Sequence, residues 1–112
     1  MATLTVQAII RSAASLLPTY AAAAAGGDQF PNDGQRTFFH MKNTNGAGRT
    51  VTFATQKTIE GLAVSDLAVT LAATTGDVMV GPFPAEYYND GNGMVQVTYT
   101  ADAGVTVAAI RL

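Results

Sequence analysis

His40 is the one histidine of this chain, and with eight carboxylates and no cysteine it bounds the chemistry available. A histidine works as a general base when a nucleophile or an orienting carboxylate stands beside it in space. There is no cysteine to serve as that nucleophile, and no serine sits in a Gly-x-Ser-x-Gly elbow. A single imidazole cannot hold zinc unaided. The acids Asp28, Asp33, Glu60, Asp66, Asp77, Glu86, Asp90 and Asp102 lie mostly at or beside turns, where a carboxylate bonds its own backbone. Two of them brought together would make the acid pair of a glycoside hydrolase. Such sites usually add tryptophan for the sugar, and tryptophan is absent. The run Asn89-Asp90-Gly91-Asn92-Gly93 resembles a calcium loop without its alternating acids and terminal glutamate, and it reads as a turn. Asn32 to Gly34 and Asn43 to Gly48 open no helix, so phosphate cradling is not supported. No enzymatic activity, metal or cofactor is expected.

Binding is the better use of these residues. Phe83, Tyr87 and Tyr88 crowd into the segment GPFPAEYYND, stiffened by two prolines. They form either a rigid contact surface, since aromatics with a polar handle are enriched at interfaces, or a plug at the end of a core. Phe38 and Phe39 are adjacent on an extended segment, so one must face away from the other. Phe38 and His40 then share the face opposite Phe39 and Met41. The interface candidates are Phe38, His40, Phe83, Tyr87 and Tyr88.

The elements that would position them are strands. From Val51 onward, apolar and polar residues alternate in VTF, LAVTL, VMV, MVQVTYT and GVTVAAIRL, each run closed by Gly, Pro, Asn or Asp. That pattern predicts an all-β fold, a single-domain antiparallel β-sandwich of jelly-roll or related Greek-key type with about eight strands. Strands are expected at Thr3 to Ile10, Arg36 to Asn43, Arg49 to Thr55, Asp66 to Ala72, Asp77 to Val80, Met94 to Thr100 and Val105 to Leu112. Thr58 to Val64 is expected as a short strand or bend, and Glu86 to Asn89 as a brief strand or turn. Asp28 to Gln35 (DQFPNDGQ) reads as a loop. Residues 1–27 form an N-terminal strand plus an alanine-rich arm. Ser12 to Leu17 is left between one helical turn and a loop, and Ala21 to Ala25 is expected as an extended or irregular arm, with helix as the alternative. The core is expected at Leu4, Val6, Phe39, Met41, Val51, Phe53, Leu67, Val69, Leu71, Val80, Val95, Val97, Tyr99, Val105 and Val107.

Composition narrows the partners. At 112 residues the chain is one domain, with net charge -2 and only 12% charged residues. The typical share is about 25%. No basic patch for nucleic acid is expected. No run approaches the ~18 apolar residues of a membrane helix, and Thr3 to Ile10 alternates where a secretory leader would be continuously apolar. A surface so poor in charge suggests one that is covered in an assembly.

The segments FPNDGQRTFFHMKN, TVTFATQKTIEGLAVSDLAVTLAA, VGPFPAEYYNDGNGMVQVTYT and GVTVAAIRL resemble a group of short head proteins of tailed bacteriophages and prophages. The resemblance covers most of the chain beyond Asp28 and does not extend to the Ala21 to Ala25 run. It implies a capsid decoration, or cement, protein that bridges neighbouring subunits of the major capsid protein without covalent bonds. It also implies a homo-oligomer, a trimer being favoured, on the capsid surface of a virion assembled in the host cytoplasm. A neck or tail component of the same virion, or a carbohydrate-binding or host-adhesion module, are the alternatives. The family places no catalytic residues.

Overall fold

In β5, Thr37–Asn43, alternate side chains decide the architecture. Phe39 and Met41 are fully buried on one face, while Phe38 and Lys42 are only half-buried on the other. The structure, a computed structural model, describes residues 2–11 and 18–112. Before β5 come β1 (Ala2–Thr3), β2 (Gln7–Ala8), β3 (Ala21–Ala22) and β4 (Asp28–Pro31). After it come β6 (Arg49–Phe53), β7 (Thr58–Ile59), β8 (Leu62–Ala63), β9 (Leu67–Leu71) and β10 (Gly76–Val80). A single helical turn, α1 (Ala85–Tyr88), precedes β11 (Met94–Tyr99) and β12 (Val105–Arg111).

These strands make two five-stranded sheets and a small hairpin. The first sheet runs β1-β4-β11-β6-β9. The second runs β10-β5-β12-β2, with β3 also pairing β12. The longest ladder joins β5 to β12, from Val105 opposite Asn43 to Arg111 opposite Thr37. The chain passes from one sheet to the other at β1–β2, β3–β4, β4–β5, β5–β6, β9–β10, β10–β11 and β11–β12, so most of the contacts holding it are between distant residues.

Aromatic rings join the two layers. Phe30 of the first sheet stacks on Phe39 of the second with centroids 5.1 Å apart, and Phe53 meets Phe39 edge-on at 5.6 Å. Phe83, from the loop before α1, closes the group at 4.9 Å from Phe53 and 5.7 Å from Phe30. Each such buried ring stabilises the fold by roughly 1.5–3 kcal/mol through area removed from water, with about 0.5–1.5 kcal/mol more from each ring pair. All the expected core residues belong to this cluster, with Leu4, Val6, Leu67, Val69, Val80 and Tyr99 at its partly buried margin.

Several expectations are corrected. The chain is mostly β and forms one compact domain, but its sheets are mixed, because β1 lies parallel to β4 and β2 parallel to β12. There are twelve strands among the described residues rather than about eight; five of them are only two residues long. Thr3 to Ile10 is not one strand. It gives β1 to the first sheet and β2 to the second, and between them Leu4 and Val6 pack against the core. Asp28 to Pro31, expected in a loop, is β4, paired on both sides and burying Phe30. Pairing with β11 overrides the local turn preference. The turn chemistry is confined to the next residues, where Asn32 Oδ1 accepts the Gly34 N–H and Asp33 Oδ1 accepts those of Gln35 and Arg36. Glu86 to Asn89 falls largely in the helical turn α1. Ala21 and Ala22 are extended, pairing with β12 as β3. The reading of Ser12 to Leu17 lies outside the described residues.

Thr58 to Val64 contains the hairpin β7–β8. Its two-residue turn holds Glu60 at φ 51° and Gly61 at φ 79°, both left-handed, as the tightest hairpin turns require. Glycine takes that conformation freely; at Glu60 it costs backbone energy.

Candidate contact surfaces

The outward face of β5 meets the N-terminal arm. His40, 6% exposed, lies between Tyr20 of the arm and Asp77 of β10. Asp77 is two residues along β10 from Met79, which pairs directly with His40, so both lie on one face and the ladder sets the carboxylate beside the imidazole. Asp77 accepts the hydrogen of Nε2, which fixes the tautomer and leaves Nδ1 to accept the Tyr20 hydroxyl at 2.6 Å. The bond from His40 holds the Asp77 carboxyl below its ordinary range, aided by the charge of Lys42. The Lys42 ammonium stands 4.3 Å from the centroid of the Tyr20 ring. The carboxylate that a functional histidine needs is therefore present. The Tyr–His–Asp chain has the connectivity of a proton relay, with a half-buried phenol at its outer end. Structurally it fastens the arm to the sheet. Among the described residues, no group of three or more His, Asp or Glu side chains could hold a metal ion.

Around this chain the surface is apolar. A cavity of about 310 Å³ is lined by Ile9, Ile10, Pro18, Tyr20, Phe38, His40, Met79 and Ile110. A second, also about 310 Å³, shares Phe38 and Met79 and continues over Val80, Pro82 and Leu112, with Arg36 at its wall. Ile9, Ile10, Met79 and Leu112 are each exposed by 43% or more. Large apolar side chains grouped on a surface mark a contact site rather than chance exposure.

The aromatic loop divides into inside and outside. Phe83 is 1% exposed and belongs to the core, so it is corrected from interface candidate to plug. Tyr88 is half-buried with its ring edge-on to Phe83 at 5.4 Å. Tyr87 turns outward, half-buried, under the Lys57 ammonium at 4.8 Å from its centroid. Lys57 also pairs with Glu86, and the Gln56 N–H bonds the Tyr87 carbonyl at 2.7 Å, which ties the base of the β7–β8 hairpin to α1. Beyond that base, Ile59 is 55% and Leu62 73% exposed. Phe38 is half-buried between the two apolar cavities, as an outward residue of β5 should be.

One buried acid lies apart from these surfaces. Asp28 is fully buried and accepts the Tyr99 hydroxyl at 2.6 Å and the Ala24 N–H at 3.3 Å, while its other oxygen has no partner among the described residues. Burial first, and then the bond to Asp28, push the Tyr99 hydroxyl far above its ordinary pKa. The pair links β4 to β11 beneath the arm.

Sequence reasoning missed Tyr20, Asp77, Ile9, Ile10, Met79, Ile59, Leu62 and Leu112. For Met79 the signal was available, since alternation with Val78 and Val80 turns it outward. Ile9 and Ile10, like Phe38 and Phe39, are adjacent and cannot both face a core. No family model, curated protein or solved structure matches this chain.

Proposed function

We propose that this chain is a capsid decoration protein of the tailed-phage kind. On this reading it is a two-layer β-sandwich that lays the outer face of its β10-β5-β12 sheet against the major capsid protein. The sandwich reading rests on the ring contacts between layers and on the over-and-under path of the chain. That path sets β11 between β4 and β6 while β5 lies in the opposite sheet, a Greek-key character. The observation that carries the functional reading is the apolar group Ile9, Ile10 and Met79 beside Phe38, exposed on a molecule with few charges. Burying such a group at a seam between subunits, repeated over many copies, gives large stabilisation from a modest contact. The resemblance in FPNDGQRTFFHMKN and VGPFPAEYYNDGNGMVQVTYT supports the same assignment.

The test is the copy number of this chain against the major capsid protein in purified particles, by quantitative mass spectrometry. A ratio near parity or a simple fraction of it supports shell-wide decoration. A handful of copies would assign the chain to the neck or tail, and absence from the particle would refute a virion role. Met79→Asp should weaken binding to preformed shells by about tenfold or more while leaving the fold intact.

A further inference from the structure

We infer that the β7–β8 hairpin is the knob of a contact between two copies of this chain, and that the cavity over Phe38, Met79, Val80, Pro82 and Leu112 is its socket. The hairpin presents Ile59 and Leu62 side by side, paired across the ladder on either side of a tight turn. Both are among the most exposed large apolar residues described, so the chain does not fill its own socket with them. The socket is an apolar cavity of about 310 Å³, in the size range of pockets that bury small apolar groups.

Charge selects the partner. Glu60 sits at the tip of the hairpin between the two apolar residues and is exposed. Arg36 forms part of the socket wall, its side chain 60% exposed. Its Nε bonds Asp33 at 3.3 Å, and its two terminal nitrogens have no partner among the described residues. Seating Ile59 and Leu62 in the socket would bring the Glu60 carboxylate to that free end of the guanidinium. The fork of an arginine suits a carboxylate, and a pair at the rim of a contact adds register and selectivity more than affinity.

The two parts are also linked through α1. The segment that gives Pro82 to the socket leads into α1, and α1 is tied to the hairpin base through Glu86, Tyr87, Lys57 and Gln56. A single two-fold axis would seat each hairpin in the other copy's socket, as self-complementary contacts do. This arrangement gives a pair rather than a trimer. It shares Phe38 and Met79 with the face proposed to meet the shell, so the two contacts compete for that surface, and the isolated chain suffices to test the pairing.

Light scattering over a concentration series should show a mass rising from 11.6 kDa toward twice that value. Leu62→Asp should weaken association by about tenfold or more with an unchanged circular dichroism spectrum and melting curve. Glu60→Lys and Arg36→Glu should each weaken it by roughly threefold, and the two together should recover most of the loss. Because the chain has no cysteine, mixing Leu62→Cys with Met79→Cys under mild oxidation should yield the mixed disulfide in preference to either symmetric one. A wild-type chain that stays monomeric at every concentration would overturn the inference. So would association indifferent to Leu62→Asp, a preference for the Leu62→Cys self-disulfide, or a trimeric mass.

Discussion

The two long sides of this molecule are finished in opposite ways. On one side the outermost long strands, β4 and β12, are covered by the N-terminal arm: β1 adds to β4, and β2 and β3 add to β12. On the other side β9 and β10 are the last strands of their sheets, and among the described residues nothing pairs with their outer ladders. The covered side is held by very little backbone pairing, two residues at each of three places. Side chains supply the rest. Gln7 bonds both the N–H and the carbonyl of Thr19 at 2.8 Å, Gln29 reaches Thr3 Oγ1 at 2.8 Å, and Tyr20 is bonded to His40. The open side has no such added segment among the described residues. Its β9, Leu-Ala-Val-Thr-Leu, also lacks the lysine, proline or inward charge with which edge strands are usually protected. One side is thus closed by specific side chains, and the other is left available.

The comparison predicts unequal responses to substitution. The largest effect should come from beneath the covered side. Phe30→Ala removes a fully buried ring that touches Phe39 and Phe83, and should cost about 3–5 kcal/mol, read as a lower urea midpoint. A loss of that size is a large part of the stability of a domain this small. If Phe30→Ala costs no more than an exposed substitution on β9, the rings do not join the layers and the comparison fails at its root.

Next in size is the fastening itself. Tyr20→Phe leaves the shape of the arm but strips His40 Nδ1 of its donor in a buried place, at about 1–2 kcal/mol. The loss should appear first as local opening. Amide exchange at Ala23, whose N–H bonds the Val105 carbonyl at 2.9 Å, should quicken before that of β5 does. Equal acceleration in β5 and at Ala23 would mean that the arm does not open separately.

The pH dependence of the same fastening has a definite sign. The Asp77 carboxyl is held below its ordinary value of 3.8, chiefly by the bond from His40. A carboxyl depressed in the folded state contributes stability that is present above its unfolded pKa and lost as pH falls through the folded one. Protection of the Ala21 to Ala23 amides, taken against the intrinsic exchange rate at each pH, should therefore fall below about pH 4, and Asp77→Asn should flatten that response. Asp33 and Asp90 are depressed too, each by backbone N–H groups of its own turn, so global acid unfolding alone cannot report on Asp77. The arm amides can.

How much of this was legible in the sequence follows from distance along the chain. The long strands β5, β6, β9, β11 and β12 and their core residues follow from alternation, a local signal, and the structure places them close to where alternation does. β4 was hidden because Phe30 is embedded among Asp, Pro, Asn and Gly, and only the partner β11 makes that segment extended. The fastening was hidden for a stronger reason. Tyr20 and Asp77 stand 20 and 37 positions from His40, and only the β5–β10 register and the return of the arm bring them together. Phe83 and Tyr87 carried the same signal in sequence and went to opposite sides of one loop, since an aromatic cluster does not say which of its rings plugs the core.

The smallest effect belongs to the open side. Thr70 of β9 is exposed, on the face away from the Leu67, Val69 and Leu71 that touch the core. Thr70→Lys should change stability by no more than about 0.5 kcal/mol, because no buried group loses a partner. Its effect lies between molecules. Two unprotected β9 strands can pair edge to edge around Val69, with Leu67 opposite Leu71 and Ala68 opposite Thr70, and no like charges face each other. A lysine on that edge places a charge that must stay in water beside the new ladder. The variant should thus resist aggregation on heating better than the wild type at an unchanged melting temperature, as read by turbidity beside circular dichroism. Equal turbidity in both would mean that β9 is shielded after all, and the contrast between the two sides would then rest on the arm alone.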